Sequence, residues 1–253
     1  MSGGWQYLKI SIIVPVYNER KTIKQVIDRL LNLKFNKEII VVDDGSTDNT
    51  ADILRKYRAN KEMEVICHKY NQGKGRAIIT GLTRADSDYI IIQDADLEQN
   101  PEDIERFFPE IDKGYKAIFG TRVLDWGDEY NIRHTANLLF SFLINILFRT
   151  HLTDIMSGYK MIETDLFKSL RLTSNSFGIE PEITIRVIEN GISIREVSVS
   201  YNSRNVKEGK KIRFRDSFVI IYTIIKLFIA TNVCSIVLLI ASVFYKKRIS
   251  PPH

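Results

Sequence analysis

With two cysteines in 253 residues, the chain has too few for a disulfide framework. Cys67 sits in a short apolar run and Cys234 in an apolar tail, so the globular part reads as reduced and cytosolic. No secretory signal is expected either, because the apolar stretch Ile10 to Val16 is too short and runs straight into fold-like sequence. Internal repeats and low-complexity segments are missing, which sets aside solenoids and disordered arrays. The formal net charge is +5, but the basic residues are not interleaved with aromatics on a globular stretch, so nucleic acid is not the expected partner. Oligomeric state leaves no mark on the sequence.

The composition, 44% hydrophobic and 26% charged, is that of a globular chain, long enough for one α/β domain and an appendage. Charge is distributed unevenly. Lys207, Lys210, Lys211, Arg213 and Arg215 crowd the approach to a long apolar tail, and Lys246, Lys247 and Arg248 close it. Basic residues flanking an apolar segment favour anionic lipid head groups. Between Ser217 and Tyr245 the only charge is Lys226, and residues 227–245 carry none, close to the roughly 20 apolar residues that span a bilayer. The alternatives are a C-terminal core helix, a re-entrant helix or an interfacial pair. The basic segment would keep the globular part on the cytoplasmic face. A second apolar stretch, Leu138 to Phe148, suits a helix lying on a membrane surface or one packed in the core.

Ile10 to Val14, Ile39 to Val42, Glu64 to Cys67 and Tyr89 to Ile92 are short runs rich in Ile and Val, as buried parallel strands are. Helical spacing between them, at Ile23, Val26, Ile27, Leu30 and Leu31 and again at Ile53, Leu54 and Tyr57, implies an α/β fold with an open, mostly parallel sheet. Ser46, Asp48 and Asn49 offer caps for the second helix. Pro101 starts a helix through Ile104, Phe107 and Phe108, Ala117 to Gly120 reads as a strand, Glu180 to Ile188 as a helix, and Ile192 to Val199 alternates with one slip of phase.

The chemistry concentrates in turns that follow these strands. Asp94-Ala95-Asp96, with Glu98 two residues on, ends the strand Tyr89 to Ile92 and offers hard oxygen ligands at the carboxyl edge of the sheet. That suits a divalent cation clamped to a diphosphate; the plain alternative is a solvated acidic turn. Pro15-Val16-Tyr17-Asn18-Glu19 closes the first strand, with Tyr17 a candidate to stack on a base. Asp43-Asp44-Gly45-Ser46-Thr47-Asp48 follows the second strand, where a carboxylate accepts hydrogen bonds from a base or ribose, or merely caps a helix. Asn71-Gln72-Gly73-Lys74-Gly75-Arg76 could wrap a phosphate or simply start a helix, and it lacks the spacing and Lys-Ser/Thr pair of a Walker A loop.

Taken together, Ser11 to Glu19, Val41 to Asp48, Asn71 to Gly75 and Asp94 to Asp96 resemble the family 2 glycosyltransferases of GT-A fold, from about Ile10 to Tyr201. Within that family, Asp154-Ile155-Met156-Ser157-Gly158-Tyr159 and the basic segment before an apolar tail are similar to the polyprenyl-phosphate hexose synthases. The resemblance implies a GT-A nucleotide-sugar-binding domain over residues 1–205, a basic interfacial segment over 206–226, a transmembrane helix over 227–245 and a basic tail over 246–253. It implies that Pro15, Tyr17, Glu19, Val42, Asp44, Lys74, Asp94 and Ala95 bind the donor, and that Asp94, Asp96 and Glu98 contact Mg²⁺ or Mn²⁺ and the diphosphate. Asp96, Arg122 and Arg133 would be catalytic, and Arg122, Arg133, Asn137, Arg204 and Lys210 would face the acceptor phosphate or the leaving diphosphate. The implied reaction is inverting transfer of a hexose from GDP-mannose or UDP-glucose to dolichyl or undecaprenyl phosphate at the cytoplasmic membrane face.

Two departures bear on this. Phe177-Gly178-Ile179-Glu180-Pro181-Glu182 is acidic where mannose synthases tend to be basic, which leaves the donor sugar open. Processive polysaccharide synthases carry Gln-x-x-Arg-Trp, and Trp5 and Trp126 lack that context, so a glycan acceptor is disfavoured. A non-catalytic nucleotide-binding protein would show degraded acidic or basic motif positions, and these are intact. His68, His134 and His151 lie outside the strong motifs, and a phosphate acceptor needs no strong base. Glu180 or Glu182 is the reserve candidate for one.

Overall fold

The fold is taken from a computed structural model that describes residues 4–122, 132–202 and 216–232, with 132–134 described by backbone alone. A 3₁₀ turn, Gly4–Tyr7, precedes an alternation of strand and helix: β1 Ile10–Val16, α1 Ile23–Asn32, β2 Lys37–Asp43, α2 Thr50–Arg55, β3 Met63–Cys67, α3 Lys74–Leu82 and β4 Tyr89–Ile92. The 3₁₀ helix Pro101–Phe107 and α4 Phe108–Asp112 lead into β5 Ala117–Thr121 and α5 Ile132–Phe148. Then come β6 Lys160–Glu163, α6 Thr164–Ser169, α7 Ile179–Glu189 and β7 Ile194–Ser198. A last helix, α8, occupies residues 216–232.

The seven strands form one sheet in the order β3-β2-β1-β4-β6-β5-β7. β1 pairs in parallel with both β2 and β4, and β2 with β3. β6 runs against both of its neighbours, β4 and β5, while β5 and β7 are parallel. Strand alternation sorts the core. Ile10, Ile12, Val14, Ile39 and Val41 meet Val26, Ile27 and Leu30 of α1 and Phe107 on one face. Ile13, Ile40, Val42, Ile90 and Ile92 meet Ile78 of α3 and Ile183 of α7 on the other. Each such fully buried side chain contributes about 1.5–3 kcal/mol of transfer free energy.

The predicted helix from Pro101 divides at Phe107 into a 3₁₀ and an α segment. Pro109 is the reason, since it has no N–H to donate to the turn before it. The strand β6 and helix α6 follow from no periodicity read above. The first turn of α3 is pressed against residues 174–175: a Cβ on Gly75 would collide with the Ser174 carbonyl oxygen, and one on Gly73 with that of Asn175. The Arg76 N–H donates to Asn175 O at 3.2 Å. The glycines of the Asn71 to Arg76 loop therefore serve close packing of chain on chain.

α5 and α8 bury a shared seam of Phe140, Ile144, Ile220, Ile224 and Leu227 over Ile185 of α7. Phe148 meets Phe228 edge to face at 5.7 Å between ring centroids. Leu138, Leu139, Phe142 and Ile146 of α5 and Phe218, Val219, Tyr222, Ile225 and Ile229 of α8 are left exposed. The core-packing expectation for the stretch Leu138 to Phe148 is met on one side of the helix, while its other side is apolar and exposed. Among the described residues no helix is long and apolar enough to cross a membrane. Residues 233–253, most of the expected spanning segment and all of the basic tail, lie outside the described residues.

Candidate active site

At the carboxyl ends of β1, β2 and β4 a cleft of about 680 Å³ opens. This edge is where open α/β sheets take ligands. Its walls include Pro15, Tyr17, Glu19, Asp44, Lys74, Asp94, Ala95, Asp96, Glu98 and Arg122, ten of the expected residues from five separate segments. Gln99, Met156, Gly158, Ser176, Phe177, Glu180, Tyr201 and Asp216 also line it.

The loops after β1 and β2 are laced together. Asn18, left-handed at φ 51°, receives the Thr47 N–H on Oδ1 at 2.7 Å, and its own N–H donates to Ser46 Oγ at 2.9 Å. Glu19 is anchored by Thr50 Oγ1, which accepts its N–H at 3.1 Å, and by the Thr22 hydroxyl, which donates to its carboxylate at 2.8 Å. Asp44 is buried. Its carboxylate accepts the N–H groups of Gln72 and Gly73 at 2.9 and 2.7 Å and lies 2.7 Å from His68 Nδ1, so it ties the second loop to the third. Capping, the plain alternative for this region, belongs to Asp48, whose Oδ1 accepts the Thr50 N–H at 3.1 Å.

The acidic turn after β4 is shaped by Leu97, which is left-handed at φ 62° and half-buried against the core. A branched residue in that conformation is held by its surroundings and does not choose it. Asp96 Oδ1 accepts the Glu98 N–H at 3.1 Å. Glu98 in turn accepts the Tyr201 hydroxyl at 2.7 Å, and Asn202 N–H donates to Glu98 O at 2.8 Å, binding the residues after β7 to the acidic turn. Burial and the nearby Glu98 carboxylate push the Tyr201 hydroxyl well up.

Arg122 donates from Nε and Nη2 to the fully buried Asp154 at 2.6 and 2.8 Å, and its guanidinium sits 4.9 Å from the centre of the Tyr201 ring. Lys74 Nζ bridges Asp94 Oδ1 at 2.7 Å and Glu180 Oε1 at 2.8 Å. Glu180 Oε2 is 2.9 Å from Lys160 Nζ. Burial pushes the Glu180 carboxyl up, but Lys160 and Lys74 outweigh it and hold the group down at about 2. Glu182 is occupied by Thr173 and Ser174, whose N–H groups donate to it at 3.0 and 2.7 Å. Neither carboxylate is placed as a base, because each is already engaged by donors or ammonium groups.

Some expected residues are elsewhere. Val42 is fully buried in the core beside Ile13 and Ile40, since strand alternation turns it to the α3 face. Asn137 is buried between α5 and the 153–156 loop, with Nδ2 donating to Thr153 O at 3.5 Å and Oδ1 accepting the Met156 N–H at 3.3 Å, so it braces the loop and does not line the cleft. Arg133 falls in α5 with its side chain outside the described residues, as Arg204 and Lys210 are entirely.

Among the described residues no three His, Cys, Asp or Glu side chains are gathered to hold a cation. Asp94, Asp96 and Glu98 do not converge as a ready-made trio. Their chemistry still fits Mg²⁺ or Mn²⁺, which at phosphate sites take one or two carboxylates and fill the other positions with substrate oxygens and water.

The sequence model of glycosyl transferase family 2 matches residues 11–171. The chain belongs to that family. The UDP-N-acetylglucosamine–dolichyl-phosphate N-acetylglucosaminyltransferase of Methanococcus voltae is 29% identical over 242 residues, covering 86% of this chain and 95% of its own. The undecaprenyl-phosphate 4-deoxy-4-formamido-L-arabinose transferase of Proteus mirabilis is 35% identical over 142 residues, and the match spans 54% of this chain but only 43% of that one. Glucosyl-3-phosphoglycerate synthase from Mycobacterium tuberculosis, crystallised with Mn²⁺, UDP and phosphoglyceric acid, superposes with a TM-score of 0.69 at 21% identity, covering 88% of this chain and 79% of that one. At that identity the likeness is one of fold, an α/β GT-A-like domain.

In this family 2 domain, Asp154, Gly158, Lys160 and Tyr201 are the site residues that the motif reading left without a task. Asp154 and Gly158 belong to the segment Asp154 to Tyr159, whose mechanics no spacing reveals. A Cβ on Gly158 would meet the Asp94 carboxylate and come within 3.0 Å of Gln99 Nε2, so its bareness gives Asp94 room.

Proposed function

We propose that this family 2 glycosyltransferase moves a hexose from a nucleotide sugar to a polyprenyl phosphate at a membrane surface, with inversion at the anomeric carbon. The observation that carries the reading is the cleft itself: Asp94, Asp96, Glu98, Lys74 and Arg122 line one cavity beside two helices whose outer sides are apolar.

Pro15, Tyr17 and Glu19 would hold the nucleotide, with Asp44 fixing the loops around it. A divalent cation held by Asp94 and Asp96, with Glu98 beside them, would supply charge neutralisation on the departing diphosphate. Arg122, locked by Asp154, presents a fixed cation to the reacting phosphates, so no reorganisation is needed as charge develops. The acceptor needs no strong base, because a phosphate monoester has a second pKa of about 6 and is largely ionised at neutral pH. That matches a site whose glutamates are already engaged.

The membrane half of the proposal rests on α5 and α8, which together expose nine large apolar side chains. Apolar faces of this kind mark lipid or protein contact. The basic stretch before α8 favours an anionic cytoplasmic leaflet. The homologous dolichyl-phosphate and undecaprenyl-phosphate transferases support a lipid acceptor over a free glycan.

GDP-mannose, UDP-glucose and UDP-N-acetylglucosamine, each tested with membrane-extracted polyprenyl phosphate and product identification by mass spectrometry, examine this directly. One donor consumed only when lipid phosphate is present is expected. Consumption that ignores the lipid, or none of the three, removes the proposed reaction.

A further inference from the structure

The inner wall of the cleft carries four charges in a row of alternating sign. Lys160 touches one oxygen of Glu180 at 2.9 Å, Lys74 touches the other at 2.8 Å, and the same Lys74 ammonium reaches Asp94 at 2.7 Å. Lys160 and Glu180 are shut away from solvent, while the Asp94 end opens to the cleft. Asp94 therefore has a cation in direct contact before any ligand arrives.

A divalent cation approaching Asp94 meets that ammonium as a like charge competing for the same carboxylate. A diphosphate alters the balance, because it brings negative charge and offers Lys74 a different partner. Glu180 permits the exchange: when Lys74 leaves Asp94 it keeps one carboxylate, so no ammonium is stranded unpaired in a buried place. Lys160 holds Glu180 fixed while this happens.

We infer that Lys74, anchored on Glu180, makes capture of a divalent cation by Asp94 conditional on a nucleoside diphosphate in the cleft. Lys74 is thus a positioning residue that couples the two ligands, and by linkage each ligand raises the affinity for the other. The inference rests on the reading of the cleft as a site for nucleotide and cation.

The test is Mn²⁺ binding to the full chain in detergent, read from the free-ion electron paramagnetic resonance signal. Titrations run with and without UDP or GDP, and are corrected for Mn²⁺ held by the nucleotide alone. In the wild type the Mn²⁺ dissociation constant falls on the order of tenfold when nucleotide is added, within the usual range of coupling between sites. Lys74→Met raises the nucleotide-free affinity by a similar factor and brings the two constants together, and Lys74→Arg restores the difference. An unchanged or weaker nucleotide-free affinity in Lys74→Met, with binding in the presence of nucleotide retained, overturns the coupling. No Mn²⁺ uptake by the wild type with either nucleotide overturns the donor reading itself. Should Lys74→Met fail to fold by circular dichroism, Lys74→Gln is read by the same criteria.

Discussion

Asp154→Asn is the sharpest perturbation of the Arg122 anchor. The native carboxylate is fully buried and accepts three hydrogen bonds from Arg122: Nε at 2.6 Å, Nη2 at 2.8 Å and the backbone N–H at 3.1 Å. An asparagine of the same shape keeps one acceptor oxygen but turns an NH₂ toward a donor and removes the negative charge that Asp154 sets against the guanidinium. Removing one partner of a buried pair costs about 3–5 kcal/mol. Arg122 retains its stacking on Tyr201 and 13% side-chain exposure, which places the loss at the lower end, about 3 kcal/mol. For a chain of this size that corresponds to a fall in Tm of roughly 6–12 °C. Urea unfolding of Asp154→Asn, Arg122→Met and the double variant completes the cycle, with a coupling energy of about 2–3 kcal/mol expected between neighbours in contact. A single-variant loss under about 0.5 kcal/mol, or a coupling near zero, would refute the claim that Asp154 anchors Arg122.

Glu180 bears on acid stability. Its folded pKa is depressed to about 2 from 4.5, so its contribution is whole above pH 4.5 and is lost as the pH falls toward 2. The gap in unfolding free energy between wild type and Glu180→Gln should therefore close over that interval; a constant gap contradicts the ion-pair account. Gly158→Ala should fold with a loss of about 1 kcal/mol, because its Cβ meets only side-chain ends, yet turnover should drop by on the order of tenfold as Asp94 is pushed aside. Full turnover would show that Asp94 has space to spare. Phe142→Glu with Tyr222→Glu should abolish co-flotation with phosphatidylglycerol vesicles while leaving the far-ultraviolet spectrum unchanged, and undiminished flotation would show that these two helices are not the lipid-facing surface.

The first four strands were legible because each holds a short run rich in Ile and Val; in β1, β2 and β4 that run is buried on both faces, whereas the edge strand β3 carries Glu64 and is only partly covered. β6 escaped because Lys160-Met-Ile-Glu163 has charged ends, and Lys160 is tolerated in the interior only through its pairing with Glu180. α6 follows it directly and is a single short turn with no periodic face of its own. The site divides along the same line. Turns that follow a strand, such as Asp94 to Glu98, announce themselves locally. Arg122 with Asp154, Lys74 with Glu180 and Tyr201 with Glu98 join elements far apart in the chain, and such pairings exist only once the sheet has assembled. Val42, named by resemblance among the donor-binding residues, has its side chain in the core, because strand alternation sets which side of the pleat it faces.

The flush contact between the first turn of α3 and residues 174–175 constrains how this molecule could be rebuilt. Its amino-terminal and carboxy-terminal halves are not interchangeable cassettes: a hybrid taking the later strands from a cousin would inherit a strap of different bulk and gape at that join while its strands stayed registered. Anyone wishing to recombine such enzymes would have to move the bare turn and the strap as a matched set.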